Sequence, residues 1–208
     1  MGYLNDTAYA IDLTNYAAEL GYEAALVVTP YYNKTSQAGL IAHFTAIANS
    51  TTLPVILYNV PSRTGTNIKP ETYKELSKIE NIVATKEASG NISAIAKTIS
   101  LCGDNLDVYS GNDDQVTALM SLGGKGCIST VSNIIPGRFS RMIHSWLDGD
   151  INWAASEQIA LKALIDAVFT EVNPIPVKAA LYMMGMCSLE YRLPLCPPSN
   201  KTQYMLYE

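Results

Sequence analysis

The sequence predicts an α/β fold built on a parallel sheet, because short apolar runs alternate with helical segments along most of the chain. Five such runs occur, and no low-complexity linker interrupts them. Two of the runs end close to residues with reactive side chains. Tyr58 directly follows Val55–Leu57, and Lys86 follows Ile82–Ala84 with one residue between them. Side chains at the C-terminal ends of parallel strands lie where enzymes of this class form their active sites.

Five helix–strand units are predicted in order. The first has a helix over residues 6–20, which ends at Gly21, and a strand over 25–29. The others are helix 37–50 with strand 54–59, helix 70–79 with strand 82–87, helix 91–102 with strand 106–110, and helix 113–122 with strand 126–131. From about residue 136 the pattern is helical, and Asn173-Pro-Ile-Pro176 interrupts it before an apolar helix over 177–187.

Two architectures fit this pattern equally well. A complete (β/α)8 barrel has eight strands in about 250 residues, so five strands followed by helices would be a barrel without its first three units. An open, doubly wound sheet also accommodates five parallel strands. The element pattern by itself leaves both open.

The composition favours a cytoplasmic enzyme that acts on a small metabolite. Of the 208 residues 48% are hydrophobic, and the net charge of −5 is too acidic for a nucleic-acid binder. The first twenty residues contain Asp6, Asp12 and Glu19 and no apolar targeting segment. Because no apolar run approaches the length of a membrane span, we expect neither export nor membrane insertion.

Metal and nucleotide sites are not predicted. His43 and His144 lie about a hundred residues apart without metal-ligating neighbours, and Leu122-Gly-Gly-Lys-Gly-Cys127 matches no phosphate-binding loop. The cysteines are Cys102, Cys127, Cys187 and Cys196. They lack C-x-x-C spacing, so we expect reduced thiols and no metal centre.

Lys86 is the strongest candidate for a catalytic residue. At the end of a buried strand its ammonium loses solvation, which lowers the pKa and leaves neutral amine to attack a carbonyl. This favours Schiff-base catalysis, with Tyr58 on the preceding strand close enough to move protons. The alternative is a structural lysine paired with a carboxylate. Glu87 is a poor partner for it, because successive side chains of a strand point to opposite faces.

Five motifs occur in an order and spacing that resemble the dihydrodipicolinate synthase (4-hydroxy-tetrahydrodipicolinate synthase) family. They are Val28-Thr-Pro-Tyr-Tyr-Asn-Lys34, Tyr58-Asn-Val-Pro-Ser-Arg-Thr-Gly65, Lys86-Glu-Ala-Ser-Gly90, Tyr109-Ser-Gly-Asn-Asp113 and Asn173-Pro-Ile-Pro-Val-Lys178. The resemblance covers essentially the whole chain and selects the barrel over the open, doubly wound sheet. It implies a partial (β/α)8 TIM barrel, with about five of eight strands, over residues 1–148, and a C-terminal helical region over 149–208.

The resemblance implies a lyase of lysine and diaminopimelate biosynthesis that needs no separate cofactor. Lys86 would form a covalent imine with pyruvate, Tyr58 would shuttle protons, and the resulting enamine would attack aspartate semialdehyde. Arg63 would bind the carboxylate of the semialdehyde through its planar guanidinium. Gly111 and Ile128 would line the pyruvate pocket, Ile128 through its backbone carbonyl.

The resemblance further implies a homo-oligomer, a dimer or tetramer. Tyr32 would reach across a tight dimer interface to complete the partner's hydroxyl relay, and Tyr31 would lie nearer that interface. Asn5 and Tyr31 match allosteric positions of the family, whereas Tyr9 stands where many members have glutamate.

The match begins part-way through the family pattern, because Gly2–Thr7 resembles the segment after the family's third strand. Roughly the first quarter would precede it, including the Thr-Thr-Gly-Glu loop that binds the pyruvate carboxylate. We therefore expect two open sheet edges and little or no synthase activity from the chain alone.

Two other functions stay open. One is a sibling lyase such as N-acetylneuraminate lyase, which would share Tyr58 and Lys86 but not usually the Ser-Arg-Thr-Gly string. The other is a non-catalytic fragment or interaction subunit.

Overall fold

A computed structural model describes residues 5–207, and five strands and eleven α-helices make up the described part of the chain. The strands are β1 (Ala25–Val28), β2 (Val55–Asn59), β3 (Ile82–Glu87), β4 (Asp107–Ser110) and β5 (Gly126–Cys127). The helices are α1 (Thr7–Glu19), α2 (Gln37–Asn49), α3 (Pro61–Thr64), α4 (Pro70–Leu76), α5 (Ile92–Cys102), α6 (Val116–Met120), α7 (Pro136–Leu147), α8 (Ile151–Ala160), α9 (Lys162–Val168), α10 (Ile175–Met183) and α11 (Asn200–Tyr207).

The five strands form one parallel sheet in the order β1-β2-β3-β4-β5. A doubly wound sheet reverses its direction of winding and places its first strand inside the sheet, so the sequential order excludes that architecture. Strands added one after another in the same direction form the wall of a barrel. β1 and β5 are the edges of this sheet, and no pairing joins them in the described part of the chain.

The predicted elements are found with shifted boundaries, and the largest error concerns the strand predicted over 126–131. Only Gly126–Cys127 is extended, and Val131–Asn133 forms a 3₁₀ turn. Three of the four residues in Ile128-Ser-Thr-Val131 are β-branched, but local side-chain bonds favour a turn: Ser132 N–H donates to Ser129 Oγ at 2.9 Å, and Asn133 Nδ2 donates to Thr130 O at 2.9 Å.

Three helix predictions also need correction. The helix predicted over 113–122 is a 3₁₀ turn, Asp113–Gln115, followed by α6, and the predicted helix 70–79 ends at Leu76. The apolar helix predicted over 177–187 is α10, which begins earlier and ends at Met183. The short helix α3 was not predicted; it begins with Pro61, whose fixed φ suits the first turn of a helix.

The described residues form two compact units. The first contains the residues up to Asn112 together with Ala118–Ile128, and the second contains Asp113–Thr117 and the residues from Ser129 onwards. The predicted division between residues 148 and 149 separates a barrel from an appended region and stays a prediction.

In the first unit, a core lies between one face of the sheet and the helices α1, α2 and α4. Its fully buried large side chains are Leu40, Phe44, Ile47, Val55, Leu57, Tyr73, Leu76 and Ile82. Strand residues alternate between this face and the opposite one, so the burial of β2 alternates residue by residue. Helices α1 and α2 begin at side-chain caps: Asp6 accepts from the Tyr9 N–H, and Ser36 accepts from the Gly39 N–H.

In the second unit, buried side chains of α7, α8 and α9, and of the residue that joins α8 to α9, form the interior. They include Phe139, Met142, Ala154, Leu161, Ile165 and Val168. Glu171 anchors α11, because its carboxylate accepts from the Ser199 hydroxyl at 2.7 Å and from the Thr202 hydroxyl at 2.6 Å. These bonds lower the pKa of Glu171.

Candidate active site

The candidate site lies at the C-terminal ends of the central strands. Backbone register places Tyr58 beside Lys86 and Lys86 beside Tyr109. All three side chains are half-buried. They therefore share the face of the sheet that is turned away from the helix-packed core.

Lys86 and Tyr58 are in direct contact. The Lys86 Nζ lies 4.5 Å from the centroid of the Tyr58 ring, at the distance of a cation–π contact. Burial raises the pKa of the Tyr58 hydroxyl, and the positive charge of Arg63 opposes that shift. A phenol whose pKa is raised stays protonated at neutral pH, so Tyr58 can donate a proton next to the lysine amine.

Gly111 lies against the stem of Lys86. A Cβ atom at this position would stand 2.7 Å from the Ala88 Cβ and 3.2 Å from the Lys86 Cε. The Gly111 N–H donates to Glu87 O at 2.8 Å, which fixes the loop after β4 against the end of β3. Glycine is the residue that lets this loop approach the lysine so closely.

Glu87 points to the opposite side of the sheet, as strand alternation predicts. Its buried carboxylate accepts from the Tyr73 hydroxyl at 2.8 Å, from the Asn59 amide at 3.0 Å and from the Ser89 N–H at 2.7 Å. The pKa of Tyr73 is raised well above its usual value, first by burial and then by the Glu87 charge. This network was not predicted from the sequence. It could have been predicted from Glu87 itself, because a carboxylate at the last position of a buried strand requires hydrogen-bond partners.

Arg63 lies on α3, directly after β2, and its side chain is exposed. Two hydrogen bonds join this loop to the loop after β1: the Thr29 hydroxyl donates to Thr64 Oγ1 at 3.1 Å, and the Thr66 hydroxyl donates to Pro30 O at 2.9 Å. Arg63 therefore projects from an anchored turn at the rim of the sheet, near enough to Tyr58 to affect its pKa.

The tandem tyrosines of the loop after β1 have different environments. Tyr32 is 91% exposed and has a positive φ of 64°, which is uncommon for a residue other than glycine. The Tyr31 hydroxyl is buried and has no hydrogen-bond partner in the described part of the chain. The Asn5 amide donates to Tyr31 O at 3.3 Å, so the two predicted allosteric residues are in contact. Tyr9, on α1, is partly exposed.

Ile128 follows β5 and is half-buried. Its N–H donates to Ser110 O at 2.9 Å, which extends the pairing of β4 and β5 by one residue. The structure thus brings Tyr58, Lys86 and Gly111 into one site and places Arg63 at its rim. Ile128 lies at the end of β5, two strands away from Lys86.

Neither a metal centre nor a membrane span is found within residues 5–207. No group of three or more histidine, cysteine, aspartate or glutamate side chains in that range could hold a metal ion. None of the helices described there is both long and apolar enough to cross a membrane.

Comparisons with known proteins relate the chain to one family. The model of the dihydrodipicolinate synthetase family matches residues 4–208. The 4-hydroxy-tetrahydrodipicolinate synthases of Thermoanaerobacter sp. (strain X514) and Acetivibrio thermocellus are 51% and 52% identical to it. Each match covers 95% of this chain and 67% of the relative, so the chain spans about two thirds of their length.

Solved structures agree with these relatives. Dihydrodipicolinate synthase from Thermotoga maritima superimposes with a TM-score of 0.96 at 42% identity, covering 98% of this chain and 70% of its own. The chloride-inhibited enzyme from Acinetobacter baumannii, complexed with pyruvate, gives a TM-score of 0.95 at 41% identity with the same coverage.

Proposed function

This chain belongs to the dihydrodipicolinate synthetase family and has the fold of a partial TIM barrel, and from these premises we propose that it binds pyruvate as an imine on Lys86 and condenses it with aspartate semialdehyde. The observation that carries the proposal is the contact of the Lys86 amine with the Tyr58 ring, with Gly111 packed against the lysine stem. The product would be 4-hydroxy-tetrahydrodipicolinate. A pyruvate complex of the Acinetobacter baumannii relative supports the choice of the first substrate.

In the proposed reaction the neutral Lys86 amine attacks C2 of pyruvate and gives a carbinolamine. Loss of water forms the iminium, and removal of a proton from C3 gives the enamine. C3 then forms a carbon–carbon bond with the aldehyde carbon of aspartate semialdehyde, and the aldehyde oxygen takes a proton. The amino nitrogen of the semialdehyde attacks C2 of the iminium and loses a proton, the bond from C2 to the lysine nitrogen breaks, and the cyclic product leaves the regenerated Lys86 amine. The iminium nitrogen is the electron sink, so this chemistry requires no added cofactor.

Tyr58 is the proposed proton donor and acceptor of these steps. The half-buried Tyr58 lies on the strand next to Lys86, and the raised pKa of its hydroxyl keeps it protonated until a base is generated beside it. Carbinolamine collapse needs a proton on the departing oxygen, which a protonated phenol supplies. In the family-based interpretation Tyr32 of a neighbouring protomer extends this relay, which agrees with its high exposure. A homo-oligomer is therefore part of the proposal.

Arg63 is proposed to recognise the carboxylate of aspartate semialdehyde. It is exposed at the rim, on a turn anchored by Thr64 and Thr66, and a guanidinium can bind a carboxylate through two parallel hydrogen bonds. Ile128 is proposed to contact pyruvate through its backbone carbonyl. Asn5 and Tyr31, which touch each other, are proposed to take part in regulation.

The proposal is tested by trapping the imine. The 208-residue chain is incubated with pyruvate and sodium borohydride, and the reduced adduct is located by peptide mass spectrometry. We expect a single adduct on Lys86, no adduct in Lys86→Ala, and normal labelling in Lys125→Ala, whose side chain is exposed on the first unit. An adduct on another lysine, or labelling that persists in Lys86→Ala, would overturn the assignment.

A second experiment separates the synthase from a sibling lyase. Because Arg63 is assigned to the second substrate, Arg63→Ala should leave borohydride trapping of pyruvate intact. Condensation with aspartate semialdehyde is measured in a version of the chain extended at its N-terminus by the first third of a 4-hydroxy-tetrahydrodipicolinate synthase relative. There it should fall by about 10–100-fold, through a higher KM, as expected for loss of a charge-assisted contact. Unchanged condensation kinetics in Arg63→Ala would contradict the proposed role of Arg63 and favour the sibling lyase.

A further inference from the structure

A cleft in the second unit has the composition of an anion site. It is about 480 Å³ in volume, large enough for a small organic molecule. Its walls come from the turn after Ser129, from the start of α10 and from Cys187. None of the nine residues that line it is acidic, although the chain as a whole carries a net charge of −5, and its one cationic residue is Lys178.

Lys178 is held in a defined position on one wall of the cleft. Its ammonium lies 5.4 Å from the centroid of the Tyr191 ring, and the Tyr191 hydroxyl donates to Ile175 O at 3.0 Å. Residue 178 is half-buried, so its charge is less screened than that of a fully exposed lysine. An ammonium held in one position attracts an anion there more strongly than a mobile one.

The opposite wall supplies hydroxyl groups. Ser129 Oγ accepts the Ser132 N–H at 2.9 Å, and Thr130 Oγ1 accepts the Asn173 amide at 3.3 Å. In both of these bonds the hydroxyl oxygen is the acceptor, so its hydrogen can be donated to a ligand.

The turn that carries these hydroxyls is rigidly supported. Asp113 is only 1% exposed, and its Oδ2 accepts the Thr130 and Val131 N–H groups at 3.0 Å each. Gln158 Nε2 also donates to the Asp113 backbone oxygen, at 2.9 Å. The hydroxyl donors are thus set in place before any ligand arrives, which lowers the cost of binding.

We propose that this cleft binds the carboxylate of a small organic acid. The Lys178 ammonium and the Ser129 and Thr130 hydroxyls receive the carboxylate, and Val177 and Leu181 pack against the carbon chain. No residue of the proposed catalytic set lines the cleft, so this inference is independent of the proposed function.

Cys187 provides a chemical test, because its exposed thiol lines the same cleft. Iodoacetate and iodoacetamide alkylate thiols by the same reaction, in which the thiolate forms a bond to the CH₂ carbon and iodide leaves. Only iodoacetate carries a carboxylate. The iodoacetate rate at Cys187 is divided by the iodoacetamide rate there, and this quotient is divided by the same quotient at the exposed Cys196. The normalised ratio measures the effect of carboxylate binding on the rate, because differences in thiol reactivity cancel.

We expect this normalised ratio to be about tenfold in the native chain, within the range by which a local positive charge raises the rate of reaction with an anion. The iodoacetate rate at Cys187 should saturate with concentration, and unreactive propionate should compete with it. The experiment is run on Lys86→Ala, so that the proposed imine lysine plays no part. Lys178→Met should reduce the ratio to about one, and the matched control Lys201→Met, an exposed lysine of α11, should leave it unchanged.

A ratio near one in the native chain, a rate that rises linearly without saturation, or a preference that persists in Lys178→Met would overturn the proposal. If iodoacetamide also reacts faster at Cys187 in Lys178→Met, the substitution has opened the fold locally. Lys178→Arg, which retains the positive charge, then decides. A retained preference supports the carboxylate site, and a lost preference overturns it.

Discussion

Lys86 and Glu87 are adjacent in sequence and end the same strand, yet they lie on two chemically different sides of the sheet. Lys86 is half-buried, contacts Tyr58 and faces the loops. Glu87 is buried among Tyr73, Asn59 and the Ser89 N–H on the helix-packed side. The strand therefore separates a side on which the lysine amine can meet a substrate from a side on which a buried carboxylate holds neighbouring segments together.

The largest effect should come from removing the charged group on the structural side. Glu87→Ala leaves the Tyr73 hydroxyl and the Asn59 amide without their buried acceptor, so the free energy of unfolding should fall by about 3 kcal/mol. Urea denaturation followed by circular dichroism measures this change. Lys86→Met is the matched variant on the other side, and it should abolish pyruvate trapping while changing stability by less than about 1 kcal/mol. Equal destabilisation by the two variants would remove the distinction between the sides.

An intermediate effect is expected at Gly111, which packs against the Lys86 side chain and whose N–H donates to the backbone oxygen of Glu87. In Gly111→Ala the new methyl group would stand 2.7 Å from Ala88 and 3.2 Å from the Lys86 Cε, so the loop or the lysine must shift. We expect imine formation, followed by rapid borohydride quenching, to slow by about tenfold because the amine is displaced. Gly137→Ala is the control, since a Cβ atom at Gly137 meets nothing within 4 Å. An unchanged rate in Gly111→Ala would show that this close approach does not position the lysine.

The smallest expected effect is a change of stability with pH, and it arises at His43, which is buried on α2 on the helix-packed side of the sheet. Burial lowers the pKa of His43, and the Asp6 charge opposes that shift; the ring Nδ1 lies 2.9 Å from the Thr7 hydroxyl. Because the folded pKa lies below the unfolded value of about 6.5, the unfolded chain binds more protons, and stability should decrease as pH falls through that value. His43→Gln should flatten this dependence between about pH 5 and 7, whereas the exposed His144→Gln should not. Denaturation midpoints measured across that range would refute the idea if His43→Gln kept the native slope.

Sequence patterns predicted the sheet and the helix–strand order, because apolar runs of strand length differ clearly from helical periodicity. They failed at the end of the sheet, where Ile128–Val131 does not continue the strand but leads into the 3₁₀ turn Val131–Asn133, which Ser129 and Asp113 hold in place. A long-range bond such as Asp113 to the Val131 N–H leaves no periodic signal in sequence. The same limit applies to the network around Glu87, whose partners come from three separate segments.

The candidate site was predictable to the extent that its motifs are local. Lys86, Tyr58 and Gly111 each lie in a recognisable string, and the structure brings them into one site. Roles that depend on substrate or on a second protomer, such as those of Arg63 and Tyr32, remain predictions.

The sequential strand order also bears on how the chain acquires its structure. Strands that follow one another in the chain also pair with one another in the described sheet, so each new helix–strand unit adds to a surface that is already formed. Contacts between neighbouring units close shorter loops than a sheet with distant pairings would require, which favours rapid formation. During synthesis β2 can pair with β1 as soon as it emerges from the ribosome, and the sheet can grow in the order of translation. Among the five described strands, pairing would then proceed from β1 toward the strand that presents Lys86.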